Sequence, residues 1–264
     1  MRIGDLELVA LSDGVCRMPQ DFYVGLDFAA HPDLLADDGH VHIPIGCFIV
    51  RGSERTVLVD AGLGPTEADS WGRGGELPAA LASAGIDPAD IDVVVCTHLH
   101  IDHIGWLLAD GVPYFPNATV RFGHDDWDTF VTTPGEDDRG RQIMEGLAAA
   151  DRLDPLHGDM VPIAPGLTAR HTPGHTPGHY GLVVASGSDR ALILGDAVEH
   201  PLQLSNPEFH ALSDIDPELA ARTREALWRE VEGSSTAITG AHFPGLVFGR
   251  VVVAAGQRWF APLA

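Results

Sequence analysis

Six consecutive positions, His98 to His103, hold three imidazoles and one carboxylate, in the run Thr97-His98-Leu99-His100-Ile101-Asp102-His103. Neutral imidazole and carboxylate are ligands that suit zinc and its neighbours. The apolar run Val93-Val94-Val95-Cys96 stands directly before them and reads as a buried strand. In extended chain leaving that strand, side chains two apart share a face, so His98 and His100 can converge on one metal. Asp102 and His103 lie one turn further on and could hold a second. A surface histidine cluster, or a few satisfied core histidines, is the plain alternative. The position at a strand end, in line with further ligand-type residues, weighs against it.

Those further residues come from three places. His175 sits in the turn-rich stretch Thr172-Pro173-Gly174-His175-Thr176-Pro177-Gly178-His179, between strand-like runs at Leu167 to Arg170 and Tyr180 to Ala185. Asp196 ends the run Ala191-Leu192-Ile193-Leu194-Gly195-Asp196, and His242 ends Ala237-Ile238-Thr239-Gly240-Ala241-His242. Each is a ligand-type residue delivered at the C-terminal edge of an apolar strand, which is where open α/β layers build their sites.

With these residues the chain resembles the metallo-β-lactamase superfamily, whose H-x-H-x-D-H signature is met by His98, His100, Asp102 and His103. Within it, Gly195-Asp196-Ala197-Val198-Glu199-His200 and His242-Phe243-Pro244-Gly245 are most similar to the methyl parathion hydrolase-like branch, with the N-acyl-homoserine lactonase-like branch beside it. The resemblance implies a four-layer αβ/βα sandwich and two divalent metal ions per chain, zinc first among them. It places His98, His100 and His175 on the first metal, Asp102, His103 and His242 on the second, and Asp196 between them. Two such metals share a water, lower its pKa towards neutrality and polarise the electrophile, with Asp102 orienting the nucleophile. Redox di-iron relatives typically carry glutamate where this chain has His100, which argues for hydrolysis. Lactonase-like relatives often carry tyrosine where this chain has Glu199, which leaves the leaving-group acid unassigned.

The elements that must position these groups read as an α/β chain in two β-then-α halves. The first has strands at Glu7 to Ser12, Gly46 to Arg51, Thr56 to Asp60 and Ile91 to Cys96, with a helix at Glu76 to Ala84. The second has strands at Thr119 to Phe122, Leu167 to Arg170, Tyr180 to Ala185, Ala191 to Leu194 and Ala237 to Thr239. Helices are expected at Asp125 to Thr132, Arg139 to Ala150 and Pro217 to Val231, the last behind the N-cap Asp216 with Pro217 at its first position. The stretch from Pro134 to Gly140 reads as an internal loop, and 1–264 as one domain with no linker or low-complexity tract.

Composition narrows the chemistry. The 264 residues carry a formal charge of -22, and all 16 basic residues are arginine. Without lysine there is no Schiff base, no P-loop lysine, no Ser-x-x-Lys nucleophile and no carbamylated lysine to bridge metals. An acidic surface repels nucleic acid. Cys16, Cys47 and Cys96 are widely spaced and form neither a disulfide framework nor a cysteine zinc site. The N-terminus lacks a signal-peptide core and no run is long enough to span a bilayer, so a cytoplasmic location with no membrane contact is expected. Self-association as a homodimer is left open.

Around the ligands, Asp60 in Val59-Asp60-Ala61-Gly62 is either a carboxylate accepting a ring N–H from a ligand histidine or an ordinary strand-end turn residue. His171, His179 and His200 are candidates for the same supporting role. Substrate walls are expected from Phe22, Tyr23 and Phe28, which read as a lid, and from Phe243 and Trp106, with core packing equally open for Trp106. The expected function is hydrolysis of a small neutral lactone or ester. Aryl ester or phosphotriester hydrolysis is the runner-up, and a non-catalytic metal-stabilised binding protein is the reading from another class.

Overall fold

Alternation along the strands decides the layering. In the strand Val41–Arg51, Cys47 and Ile49 point to one face and Phe48 and Val50 to the other. In Val57–Val59 and Val93–Val95, Leu58 and Val94 join the first set, while Val57, Val59, Val93 and Val95 join the second. A sheet apolar on both faces must be covered on both. The computed structural model describes residues 1–52, 54–65, 67–68, 71–133 and 138–263, with the backbone alone at 67 and 68. Its helices are α1 (Leu77–Ser83), α2 (Ile101–Ile104), α3 (His124–Trp127), α4 (Asp138–Ala149) and α5 (Pro217–Val231).

The first sheet runs, edge to edge, through Leu153–Leu156, Thr119–Gly123, Val93–Val95, Val57–Val59, Val41–Arg51, Leu6–Met18, Gly72–Arg73 and Glu67–Ala68, with Arg2–Ile3 added on Leu6–Met18. The second runs through Met160–Ala164, Leu167–His171, Tyr180–Ser186, Asp189–Ile193, Ala237–Thr239, Gly249–Ala254 and Gln257–Pro262. Three apolar cores separate four layers. One joins α1 and α4 to the first sheet through Leu77, Leu81, Ile143 and Leu147. The second joins the two sheets, with Leu182, Val184, Ala191 and Ile193 facing the first sheet. The third joins α5 to the far face through Val183, Leu192, Leu227 and Trp228. Full burial of one such Leu or Ile contributes roughly 1.5–3 kcal/mol. The expected αβ/βα sandwich is the fold observed.

The expected strands and long helices are present with edges shifted by a few residues, and the first strand continues to Met18 through a bulge between Ser12 and Gly14. The Pro134 to Gly140 loop is corrected in part: 134–137 lie outside the described residues, and from Asp138 the chain is already helical. Gly140, Ile143, Met144 and Leu147 give α4 a buried stripe at helical spacing, and Asp138 complements the helix N-terminus. The C-terminal hairpin Gly249–Ala254 and Gln257–Pro262 was not expected, because its outward residues Val252, Val253 and Trp259 are apolar and mask the alternation. No helix among the described residues is long and apolar enough to cross a membrane.

Candidate metal centre

Parallel pairing brings the ligand-bearing strand ends to one edge. Val93–Val95 pairs in parallel with both neighbours and then releases the loop to His98 and His100. Asp189–Ile193 and Ala237–Thr239 are also parallel, and end before Asp196 and His242. Asp102 and His103 lie on the short α2, and His175 on the loop between Leu167–His171 and Tyr180–Ser186.

The seven side chains meet. His100 Nδ1 is 2.8 Å from His98 Nε2 and 3.0 Å from His175 Nε2. His242 Nε2 is 3.5 Å, and His103 Nε2 3.7 Å, from Asp102 Oδ2. Asp196 Oδ2 stands between the two groups, 3.2 Å from His242 Nε2, 3.4 Å from His103 Nε2, 3.5 Å from His175 Nε2 and 3.8 Å from His98 Nε2. Donor atoms bound tetrahedrally at 2.0–2.1 Å lie roughly 3.3 Å apart, in the middle of this range.

Three of the five rings are tied down by the nitrogen that faces away from the centre. His103 Nδ1 donates to Asp60 Oδ2 at 2.9 Å, His175 Nδ1 to Asp214 Oδ1 at 3.0 Å and His242 Nδ1 to the Pro44 carbonyl at 2.7 Å. With the ring neutral, each bond places the proton on Nδ1 and leaves the Nε2 lone pair pointing inward, the tautomer a cation needs. Asp60 also accepts from Thr97 N–H at 2.7 Å and Thr97 Oγ1–H at 2.9 Å, and its φ of 60° is one that few residues other than Gly, Asn and Asp adopt. His179 serves the turn that carries Asp196: its Nε2 accepts from the N–H groups of Asp196 at 3.0 Å and Ala197 at 3.2 Å. His171 is bonded to the Pro177 carbonyl, and His200 caps the turn at Pro201–Leu204. Asp214, held in turn by Arg224 at 3.1 Å, gave no sign in the sequence because it lies in a loop far from any ligand motif.

Electrostatics mark the same point. Burial and the neighbouring imidazoles hold His98 well below the ordinary histidine range and bring His100 down to about 3, so both stay neutral. Burial also opposes charge on His103 and His242, but Asp196 and the other carboxylates outweigh it, lifting His103 well above its usual value and His242 to about 9. Burial raises Asp196, and His242 and His103 more than reverse that, holding it far below the carboxylate range. Asp196 Oδ1 and His103 Nε2 are buried with no hydrogen-bond partner among the described residues. An orphaned carboxylate oxygen and an orphaned ring nitrogen, amid five imidazoles and two carboxylates, fit divalent cations by donor type and by position.

A cavity of about 530 Å³ opens over this edge, with His100, Asp102, Asp196, Glu199 and His242 on its floor. Its walls are largely apolar, including Cys16, Met18, Phe22, Ile43, Trp71 and Phe130. Glu199 is buried and accepts from Ser213 Oγ at 3.0 Å. Burial, then the Asp196 charge, pushes its carboxyl up to about 7. Of the expected wall residues only Phe22 lines the cavity. Tyr23 is wedged between Phe22 and Phe209, and Phe28 packs on the same cluster, because the segment folds back and pairs Tyr23–Val24 with His210–Ala211. Phe243 is wholly buried against Phe260. Trp106 is a core residue whose Nε1–H donates to Asp13 Oδ1 at 2.7 Å. Asp13 also accepts from the N–H groups of Leu63, Gly64, Gly75 and Leu77. Its signal was an acid standing on the apolar phase of a strand.

Known proteins resemble this chain in sequence and in fold. Metallo-beta-lactamase domain-containing protein 1 of Homo sapiens is 31% identical over 179 residues, which are 66% of this chain and 58% of that protein, so the chain spans under two thirds of that relative. N-acyl homoserine lactonase of Bacillus thuringiensis is 22% identical over 233 residues, 82% of this chain and 88% of that enzyme. Two solved structures superpose over the whole chain and 96% of their own: hydrolase AbOPH at a TM-score of 0.86 and 25% identity, and the dizinc quorum-quenching lactonase AidC, solved with its product N-hexnoyl-L-homoserine, at 0.87 and 21%. The sequence profile of the Metallo-beta-lactamase superfamily matches residues 44–232, a span that holds every ligand-type residue described above except His242, and the chain belongs to that superfamily.

Proposed function

We propose that the protein is a dinuclear metal-dependent hydrolase of small neutral lactones or esters. The observation that carries this reading is the convergence of seven ligand side chains, two of them with orphaned buried atoms, on the floor of a largely apolar cavity. His98, His100 and His175 would hold one ion, Asp102, His103 and His242 the other, with Asp196 shared. Two divalent ions supply a water acidic enough to attack at neutral pH and a Lewis acid for the electrophile's oxygen. The chain's own residues do the rest. Asp102, on the cavity floor, orients the attacking water and takes its proton. The apolar walls exclude bulk water and hold the acyl or aryl part. Glu199 and Ser213, which line the same cavity, would offer polar groups to the substrate. No serine or cysteine nucleophile is required, and burial pushes the Cys16 thiol far above its usual range.

The lactonase relative and the lactonase structure support the lactone, and the breadth of the apolar cavity supports aryl esters and phosphotriesters as a second reading within the same chemistry. A surface at -22 favours substrates that are uncharged on approach. The test is metal analysis of purified protein, followed by a panel of lactones, aryl esters, phosphotriesters and coenzyme A thioesters on metal-loaded protein. About two equivalents of metal are expected, with neutral substrates ahead in kcat/KM and their lead over anionic ones shrinking as salt rises. A salt-independent preference for a polyanion would refute the substrate class. Fewer than two equivalents would refute the dinuclear site.

A further inference from the structure

The two loops that bring His98, His100 and His175 together belong to different sheets, and one buried carboxylate outside the ligand set touches both. Asp126, on α3, accepts from the Leu99 N–H at 3.2 Å, between His98 and His100. Its other contacts lie just after His175: Thr176 Oγ1–H at 2.9 Å and the Gly178 N–H at 2.6 Å. The approach is backbone to backbone. A Cβ on Gly123 would lie 1.8 Å from the Gly178 carbonyl oxygen, and one on Gly178 would lie 2.6 Å from Asp126 N. Both positions are therefore closed to any larger residue.

We infer that Asp126 is a positioning residue for the first metal: it straps the His98–His100 loop of one sheet to the His175 loop of the other, and so sets the spacing of that triad independently of the second site. Burial pushes its carboxyl up to about 6, against the pull of the Gly178, Thr176 and Leu99 donors. The Asp102, His103 and His242 set has its own anchors, Asp60 and the Pro44 carbonyl, and Asp126 touches neither. The inference rests on the dinuclear reading above, and the test separates the two.

Asp126→Asn keeps the shape, but one of its two oxygens becomes an NH2 group. With the amide turned either way, the Leu99 or the Gly178 N–H then faces a donor. Thr176→Val is milder: it removes the hydroxyl donor alone and keeps the volume. Stepwise metal titration against a chelator, on the full chain, gives two affinities, and His100→Ala identifies the step that belongs to the first site. Asp126→Asn is expected to weaken that step about 10–100-fold, the usual effect of losing a partner behind the ligands, and Thr176→Val to weaken it less. The other step should stay within about twofold. A cobalt(II)-loaded sample should show an altered visible spectrum from the first site only. General loosening of the fold would move both steps together, and that result, or an unchanged first step in both variants, overturns the role of Asp126. A wild-type protein with a single step overturns the dinuclear reading and this role with it.

Discussion

Replacing Asp60 with asparagine tests whether the proton on His103 is placed by its partner. The backbone at φ 60° suits asparagine as well as aspartate, so the turn should survive. The amide oxygen can keep the Thr97 N–H, now 2.7 Å from Asp60 Oδ1, but the NH2 group then faces His103 Nδ1, now 2.9 Å from Oδ2. His103 must accept there and carry its proton on Nε2, the orphaned atom 3.4 Å from Asp196 Oδ2. A protonated Nε2 is no ligand. Loss of a partner behind a metal-bound histidine typically weakens the metal about 10–100-fold, or about 1.4–2.7 kcal/mol. The metal-free protein should lose about 1–3 kcal/mol, the cost of one buried polar group left unmatched. Stepwise chelator titration and urea unfolding of the stripped protein read the two effects. If both metal steps and the unfolding midpoint match wild type, Asp60 is only the turn residue that its φ suits.

Asp102→Asn should lower turnover at saturating metal at least roughly a hundredfold, since it removes charge and proton acceptor at the reacting bond; near-normal turnover would point to another base. Metal-stripped protein should lose stability as pH rises. His242 goes from an ordinary 6.5 to about 9 in the fold, so its contribution is complete below 6.5 and lost as pH passes 9. Thermal melts across that window should fall for stripped protein and stay flatter for loaded protein; parallel curves would contradict the assignment. Asp13→Asn should cost about 1–3 kcal/mol in urea unfolding, because five donors converge on two oxygens and an amide cannot accept them all. Wild-type stability would mean that those donors find other acceptors.

The meeting of the seven ligand-type side chains was legible because the chemistry is local: histidines and aspartates at the ends of apolar strands declare themselves by type and place. The layering was legible for the same reason, since Val93-Val94-Val95 and Leu192-Ile193-Leu194 leave no polar face to turn to water. What stayed hidden depends on distant chain meeting distant chain. Asp214 and Asp126 act through bonds to residues 39 and 50 positions away, and Asp13 through one 93 positions away. Aromatics were the poorest guide. Tyr23, Phe28 and Phe243 looked like walls, but an aromatic side chain gains as much by packing in a core, and the cavity is walled instead by Cys16, Met18, Ile43 and Trp71 around Phe22 and Phe130.

The division of the ligands between two sheets has a consequence for how the molecule assembles. Neither triad can close within one sheet: the first lacks His175 and the second lacks His242 until the sheets have docked. On the dinuclear reading, each site would be completed only after the inter-sheet core has paired the halves, so full-strength metal capture would come late in folding, as a latch on that pairing. Once bound, such ions would favour the docked state, the one in which all their ligands meet. At a free metal concentration 1,000 times Kd, each such ion would add up to about 4.1 kcal/mol against separation of the halves. Supply of metal in the cell would therefore govern how long the protein lasts as well as how fast it works.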